Sequence, residues 1–522
     1  MPRFFNTTGP CFEADHYMLP PEARLPGLLP LVEQKQYFVL HAARQTGKST
    51  AMLAFAKRLR RLGYAALYAS LETSQGFDDV EHAEALWLEA LAWSASFELP
   101  DMECPQRRDF DDQAPGSRLQ EWLSRWSASA APRRTVLLLD EVDVVTGPPM
   151  VNLLRQLRAG FTQRGASGFP DSIALIGMRD LRDYLSFARD GAPVNPGSPF
   201  NIKSKSLTLR LFTEDEVGRL YDQHTEETGQ VFTPEATARA FWWSQGQPFL
   251  VNSLVRIVTM ELAPDPSEPI TEAHIDEAKQ RLVLERTTHI DSLAERLKEA
   301  RVARLLQPVL LGDTPYSVDY QHDDFQYAVD LGLLREGLDG AEVTNPLYRE
   351  VLARQLAYRI ERAMGAPKWR WQTDDGRLDF PALVDEFLKW WRENEGAILK
   401  HGNKAYPEAV PHLAFMAFLQ RVVNGGGTVL REYAAGRGAV DLVVQYGPDR
   451  FVVELKRVFV DGKSLERVRE DGVKQLAGYL DSLGEGMGWL VIFDQRPGRT
   501  WDERLWREER QLDGRRLLLI GA

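Results

Sequence analysis

Residues Ala42-Ala-Arg-Gln-Thr-Gly47-Lys48-Ser49-Thr50 follow the apolar run Tyr37-Phe-Val-Leu-His-Ala42 and lead into a helical pattern over 49–62. A strand, a glycine-bearing loop and a helix start in that order make a phosphate-binding loop. Gly47 permits a tight turn whose backbone amides face phosphate, Lys48 reaches the terminal phosphates, and the Ser49 hydroxyl can ligate magnesium. The helix N-terminus adds a positive dipole end. Ala42 stands where the pattern usually has its first glycine; alanine offers the same amide but resists positive φ, so the loop entry is expected to differ slightly.

A loop of this kind needs a second signal, and Thr135-Val-Leu-Leu-Leu-Asp140-Glu141 supplies it. A buried strand ending in two acids sets Asp140 at the carboxyl edge of a parallel sheet, beside the first strand's loop, to hold the magnesium shell. Glu141 is then positioned to polarise an attacking water. Ala43, Arg44, Gln45, Thr46, Gly47, Lys48, Ser49, Thr50 and Asp140 form the expected ATP-binding set, with Ser49 and Asp140 as Mg2+ ligands. A third run, Ser172-Ile-Ala-Leu-Ile-Gly177, leads to Arg179, which can read the terminal phosphate or support the transition state; a surface pair with Asp180 or Asp183 is its plainer role.

Outward from these runs, Tyr64–Ala69 and Leu207–Leu211 complete five strand candidates that alternate with amphipathic helices, the pattern of a parallel sheet covered by helices. A long insert, Asp78–Ser127, is rich in Trp, Leu and Ala at helical spacing. Residues 265–362 read as helices, two short strands around Gly337-Leu-Asp-Gly340, and a helix from Pro346 to Arg359. That outline fits a winged helix or a helical bundle with one hairpin. A Trp-rich stretch over 365–376 reads as a linker. The domains expected are 1–264, 265–362, 363–398 (linker and helix) and 399–522.

The 522 residues are 44% hydrophobic, which excludes disorder over most of the chain and exceeds what one core serves. Two cysteines, Cys11 and Cys104, cannot build a disulfide framework, no zinc-spaced Cys/His set occurs, and neither a signal peptide nor a membrane-length apolar run is present. A cytoplasmic protein without membrane contact is expected. The net charge of −12 argues against a uniformly basic nucleic-acid packer, yet 63 Lys and Arg leave room for a local basic groove.

The last third holds Gly436-Arg-Gly-Ala-Val-Asp441-Leu-Val-Val-Gln-Tyr-Gly-Pro-Asp-Arg-Phe-Val-Val-Glu454-Leu-Lys456. A hairpin centred on Pro448-Asp449 would set Asp441 opposite Lys456 and Val443 opposite Glu454, with Asp441, Glu454 and Lys456 on one face. The strands are otherwise apolar on both faces, so two buried carboxylates call for a cation such as Mg2+, with Lys456 able to orient its water. Gln475 and Tyr479 share a helix face at i, i+4. Arg431, Arg437, Lys463, Arg467 and Arg469 are candidates for a phosphate-binding rim, or are ordinary exposed charge among Glu466, Glu470 and Asp471.

Two resemblances attach to these motifs. The loop, the Asp140-Glu141 strand, the strand leading to Arg179 and the turn Gly246-Gln247-Pro248 resemble the AAA-like ATPases of the STAND type over residues 1–360. The resemblance implies a helical lid whose Gly-x-Pro turn, with Pro248, packs near the nucleotide, and a winged helix after it. By the same analogy His16-Tyr17 lies near the adenine, although a packing role is the plainer reading. Asp441, Glu454-x-Lys456 and Gln475-x-x-x-Tyr479 resemble the PD-(D/E)xK nucleases over 400–495, with Val440 where the motif's name has proline and Glu408 as a further acid. That implies Asp441 and Glu454 as metal ligands and Lys456 and Gln475 as catalytic groups of an α/β restriction-endonuclease-like domain. The expectation is an ATP-binding and ATP-hydrolysing protein that gates a DNA-cleaving domain, DNA being favoured over RNA and defence against phage or mobile DNA being the implied role. The alternative is a nucleotide-switched scaffold that binds DNA or a protein without cleaving. Homo-oligomerisation stays open.

Overall fold

Five of the apolar runs assemble side by side as expected of an α/β protein. The computed structural model describes residues 3–178, 203–284, 296, 299–311, 320, 322–337, 340–352, 373, 375–401, 410–423, 427–435, 438–458, 464–496 and 498–522, the side chains of 165–167, 203–204, 284, 307–308, 311, 396–401, 410, 413, 421–423 and 431–440 excepted. They fall into two units, Met1–Glu285 with Gln326–Leu333, and Arg286–Phe325 with Leu334–Ala522. Arg179, Glu408, Arg437, Lys463 and most of the 365–376 linker lie outside the described residues, as does the side chain of Arg431.

In the first unit, β1 (Tyr37–His41), β2 (Ala65–Ser70), β3 (Thr135–Asp140), β4 (Ser172–Gly177) and β5 (Lys203–Thr208) form an all-parallel sheet in the order β2-β3-β4-β1-β5. Side chains alternate between faces, so a sheet covered on both sides needs apolar residues at every position. Phe38, Leu40, Ala66, Leu138 and Ile176 pack on α1 (Leu28–Glu33) and α2 (Lys48–Arg61). Val39, Leu67, Leu137, Leu139 and Leu175 meet α3 (Val80–Glu98), α4 (Arg118–Ala130) and α5 (Gly147–Ser167). The long insert is therefore one helical layer, sealed by the buried Trp87, Trp122 and Trp126. Glu84, fully buried, accepts amide hydrogens from Gly116 (2.6 Å) and Leu119 (3.0 Å) and from the Gln156 side chain (2.9 Å), which offsets its desolvation and ties the turn-rich segment down. The expected strand Leu207–Leu211 is displaced to Lys203–Thr208, because an edge strand tolerates lysines that a central one would not, and its apolar signal is weak.

Four helices follow: α6 (Glu214–Thr228), α7 (Pro234–Ser244), α8 (Pro248–Ile257) and α9 (Glu272–Leu284), packed through Trp243, Leu250, Leu254, Ile275 and Ala278. The turn between α7 and α8 needs its glycine. Gly246 has φ +76° and its carbonyl accepts the Phe212 N–H (2.9 Å), and a Cβ there would stand 1.9 Å from the Phe212 carbonyl oxygen.

In the second unit, α10 (Ala300–Leu311) and the short antiparallel pair β6 (Leu334–Glu336) and β7 (Ala341–Val343) are present, a hairpin common to both readings of this region; α11 (Asp323–Asp330) precedes β6 in the chain. Beyond it, α12 (Phe380–His401) and α13 (Val410–Val423) lead into a mixed six-stranded sheet: β8 (Gly427–Ala435), β9 (Gly438–Tyr446), β10 (Asp449–Val458), β11 (Met487–Asp494), β12 (Arg507–Leu512) and β13 (Arg515–Gly521), in the order β12-β13-β11-β10-β9-β8. α14 (Leu465–Leu483) covers the face of Val443, Val452, Leu490 and Leu517. Phe380 stacks on Phe451 (4.7 Å), and Phe387 meets Phe415 and Phe493, so the helix placed by sequence in the linker region covers the opposite face.

The β9–β10 hairpin corrects the expected register. Tyr446 pairs with Asp449 and Val443 with Val452, so the loop residues are Gly447 and Pro448 rather than Pro448 and Asp449. A two-residue hairpin needs positive φ at its first central residue; Gly447 supplies it (φ +56°), whereas proline is confined to negative φ and suits the second position. The slip is of two residues, which moves partners but leaves every side chain on its face.

Replacing Gly246 by alanine is expected to lower unfolding stability by about 2 kcal/mol or more, since both the Cβ clash and the left-handed backbone oppose it. Denaturant titration of Gly246→Ala checks this, and an unchanged midpoint would contradict it.

Candidate functional site

The loop after β1 turns on two left-handed residues, Gln45 (φ +57°) and Gly47 (φ +88°). Ala42 needs no positive φ, which is why alanine serves where glycine was expected. α2 begins at Lys48 with its first amides toward the loop. Lys48 is 8% exposed; its ammonium donates to the carbonyls of Ala42 (2.7 Å) and Ala43 (3.0 Å), and burial pushes its pKa down while Asp140, Asp143 and Glu141 oppose that shift.

Asp140 ends β3, and β4 intervenes between β3 and β1, so the acid is not beside the loop strand as expected. Its carboxylate nevertheless reaches the helix start, where Ser49 Oγ donates to Oδ2 at 2.7 Å. Oδ2 also accepts from the Tyr68 hydroxyl (2.6 Å), and Oδ1 from the Glu141 N–H (2.8 Å). Glu141 adopts φ +54°, and burial together with the Asp143 and Asp140 charges raises its pKa to about 7. The Ser49 hydroxyl and the Asp140 carboxylate are hard oxygen donors brought together at a helix N-terminus. That set suits magnesium, which takes few protein ligands and completes its shell with water and phosphate.

Lys48, Ser49 and Glu141 line a cavity of about 390 Å³. Arg44, Gln45, Gly47, Lys48, Ser49 and Thr50 form its floor, and Pro248 and Asn252 of α8 line it from the helical side. A further wall, formed by Asn6, Thr7, Gly9, Pro10 and Cys11, was not anticipated from sequence. The Asn6 side chain closes this segment into a turn, accepting from Thr8 N–H (3.1 Å) and donating to the carbonyls of Gly9 and Pro10. Asn252 Nδ2 donates to the Asn6 carbonyl (2.7 Å), and the Cys11 N–H to Thr50 Oγ1 (3.0 Å), so the segment spans α8 and α2. The turn chemistry of Asn-Thr-Thr-Gly-Pro was the one visible signal. His16 and Tyr17, by contrast, do not line the cavity: the His16 ring accepts from Phe12 N–H (2.8 Å), and Tyr17 packs on Phe5 and His224.

Two side chains grip the loop from behind. Gln247 Nε2 lies 3.4 Å from the Gln45 carbonyl while its Oε1 caps α8 through Leu250 N–H (2.7 Å). Arg24, absent from the expected set, donates to the Thr46 carbonyl at 2.5 Å beneath the Phe212 ring, and burial brings its pKa down to about 10. Arg24 precedes β1 in a stretch without periodicity, which left it without a sequence signal.

The carboxylate hairpin is a second candidate. Continuing the observed register from Val453–Leu442 sets Glu454 beside Asp441, not Lys456 beside it. Asp441 Oδ2 accepts the Leu455 N–H (2.8 Å), and Lys456 Nζ donates to Glu454 Oε1 at 2.7 Å, the two side chains being 18% and 3% exposed. Both lie on the α14 face, where a Cβ on Gly472 would be 3.4 Å from Lys456 Cγ. Gln475 is exposed on α14. Arg469 is no free rim cation: it pairs with Glu466 (3.2 Å) and Glu508 and covers the Trp506 ring. Among the described residues no group of three or more His, Cys, Asp or Glu side chains is arranged to hold a metal, so Asp441 and Glu454 stand as two acids without a third.

No protein-family profile matches the sequence, and no curated protein does. Among solved structures, the Walker-type ATPase PABY2304 of Pyrococcus abyssi aligns at 13% identity and a TM-score of 0.48, over 67% of this chain and 99% of that one. The Aeropyrum pernix ORC2 protein aligns at 14% identity and 0.37, over 65% and 92%. The Thermotoga maritima RuvB Holliday junction branch migration motor aligns at 13% and 0.34, over 63% and 92%. Among the described residues no helix is long and apolar enough to cross a membrane.

Proposed function

We propose that the N-terminal unit binds and hydrolyses ATP, and that its nucleotide state gates a magnesium-dependent DNA-cleaving activity of the C-terminal sheet domain. The observation that carries the first half is the 2.7 Å contact between Ser49 and Asp140 at the helix start, beside buried Lys48 and a cavity large enough for a nucleotide. Loop amides and Lys48 supply the donors that a triphosphate needs. Magnesium, when bound with nucleotide, neutralises charge on the phosphates. Glu141, with its near-neutral pKa, accepts the proton of the attacking water. Thr46 and Thr50 shape the loop ends, and Pro248 bounds the cavity. Arg179 retains the proposed role of a terminal-phosphate contact.

The second half rests on Asp441 and Glu454 beside one another with Lys456 on the same face, flanked by helices on both sides of a mixed sheet, an arrangement consistent with a restriction-endonuclease-like fold. Asp441 and Glu454 would hold the metal, Lys456 would orient water, and Gln475 would approach from α14. The protein is proposed to work in a reducing cytoplasm, in line with its free Cys11 and Cys104. One observation favours the alternative of a nucleotide-switched scaffold that binds DNA or a protein without cutting. Arg469, one of the cations available for a phosphate rim, is committed to carboxylates.

For the ATPase, Lys48→Ala is expected to abolish turnover, and Glu141→Gln to retain ATP binding while losing at least a hundredfold in kcat. The wild-type kcat/KM should fall below about pH 7 as Glu141 takes up a proton and can no longer accept one. A profile flat to pH 5, or full turnover in Lys48→Ala, would contradict the reading. For the nuclease, purified protein is incubated with single- and double-stranded DNA and Mg2+, with and without ATP. Cleavage by wild type that Glu454→Gln lacks supports it; equal outcomes for the two proteins would reduce the C-terminal domain to a binding module.

A further inference from the structure

Tyr68 belongs to no motif and to none of the expected site sets, yet it touches the acid on which the nucleotide site depends. Along β2 and β3, Tyr68 pairs with Leu138 and Ser70 with Asp140, so Tyr68 and Asp140 project from the same face one repeat apart. That face is the one α2 covers, and the Tyr68 ring packs at the edge of its apolar cluster with Leu138 and Phe55. The hydroxyl donates to Asp140 Oδ2 at 2.6 Å, on the same oxygen that Ser49 Oγ reaches at 2.7 Å. Both lone pairs of Oδ2 are thereby filled by hydroxyls, in a residue 1% exposed.

The two hydroxyls differ in what they can do. Ser49 stands at the first turn of α2, where its oxygen can turn from Oδ2 to a cation that arrives with nucleotide phosphates. Tyr68 is fixed through its ring on a sheet strand and stays where it is. We infer that Tyr68 is a positioning residue for the cation: its hydroxyl keeps the Asp140 carboxylate aimed at the loop when Ser49 leaves it for the metal. The inference rests on the nucleotide-site reading and adds to it a residue that supports the cation without touching it. A carboxylate deprived of this donor would keep only the Glu141 N–H on Oδ1 once Ser49 leaves, and Oδ2 would lose its aim.

The test is equilibrium titration of the full chain with a fluorescent ATP analogue, in excess Mg2+ and again in EDTA. Wild type is expected to bind more tightly with the metal. Tyr68→Phe, which keeps the ring, is expected to lose about tenfold of that metal-dependent gain, the worth of one charge-assisted hydrogen bond, while its affinity in EDTA stays near wild type. Tyr37→Phe removes a comparable buried hydroxyl bond, to the Pro170 carbonyl at 2.9 Å, and should keep the full gain. A Tyr68→Phe protein with the wild-type gain, or with equal losses in Mg2+ and in EDTA, overturns the inference and leaves the nucleotide site standing. A wild-type protein that binds the analogue in neither condition overturns the nucleotide reading itself.

Discussion

The Asp140 carboxylate is the constraint on which the N-terminal unit turns. Removing a carboxylate from water costs several kcal/mol unless donors replace it. Here three do: Ser49 from the helix after the loop, Tyr68 from the neighbouring strand, and the Glu141 amide from the chain's own next residue. Each donor comes from a different structural position, so satisfying one acid fixes the start of α2 relative to the ends of β2 and β3. The same contacts bring the Ser49 hydroxyl and the Asp140 carboxylate together at the start of α2, where Lys48 is buried.

The phosphate loop is also held by its outward carbonyls. Arg24 takes the Thr46 carbonyl and Gln247 that of Gln45. Gln247 belongs to a turn that Gly246 locks to Phe212, and Asn252 one turn later holds the N-terminal segment by the Asn6 carbonyl. Gln247 thus links the loop to the start of α8. In the C-terminal domain the organising feature is different: on β9 and β10, Asp441, Glu454 and Lys456 interrupt the apolar face that α14 covers.

What the sequence disclosed follows from how local each signal is. The five parallel strands were read from apolar runs, four of them to within a residue or so, because a sheet buried on both faces leaves little room for polar positions. The edge strand β5 was misplaced because edges tolerate lysine, and β12, Arg507-Glu-Glu-Arg-Gln-Leu512, was missed because its exposed face is all charge; the Asp513-Gly514 turn was its only readable mark. The hairpin register failed by two because proline was given the turn's centre when glycine's positive φ decided it. Lys48, Ser49 and Asp140 were legible because their spacing is local to a loop and a strand end. Arg24, Tyr68 and the Asn6–Cys11 wall were not, since each acts through a tertiary contact that no short pattern encodes.

The most direct measurement of the central claim is amide hydrogen exchange of the full chain with and without ATP and Mg2+. If Ser49 and Asp140 mark a nucleotide site, peptides covering 43–50 and 6–11 gain protection together on adding both, and gain less with ATP in EDTA. Unchanged exchange across 43–50 at saturating nucleotide would contradict the account.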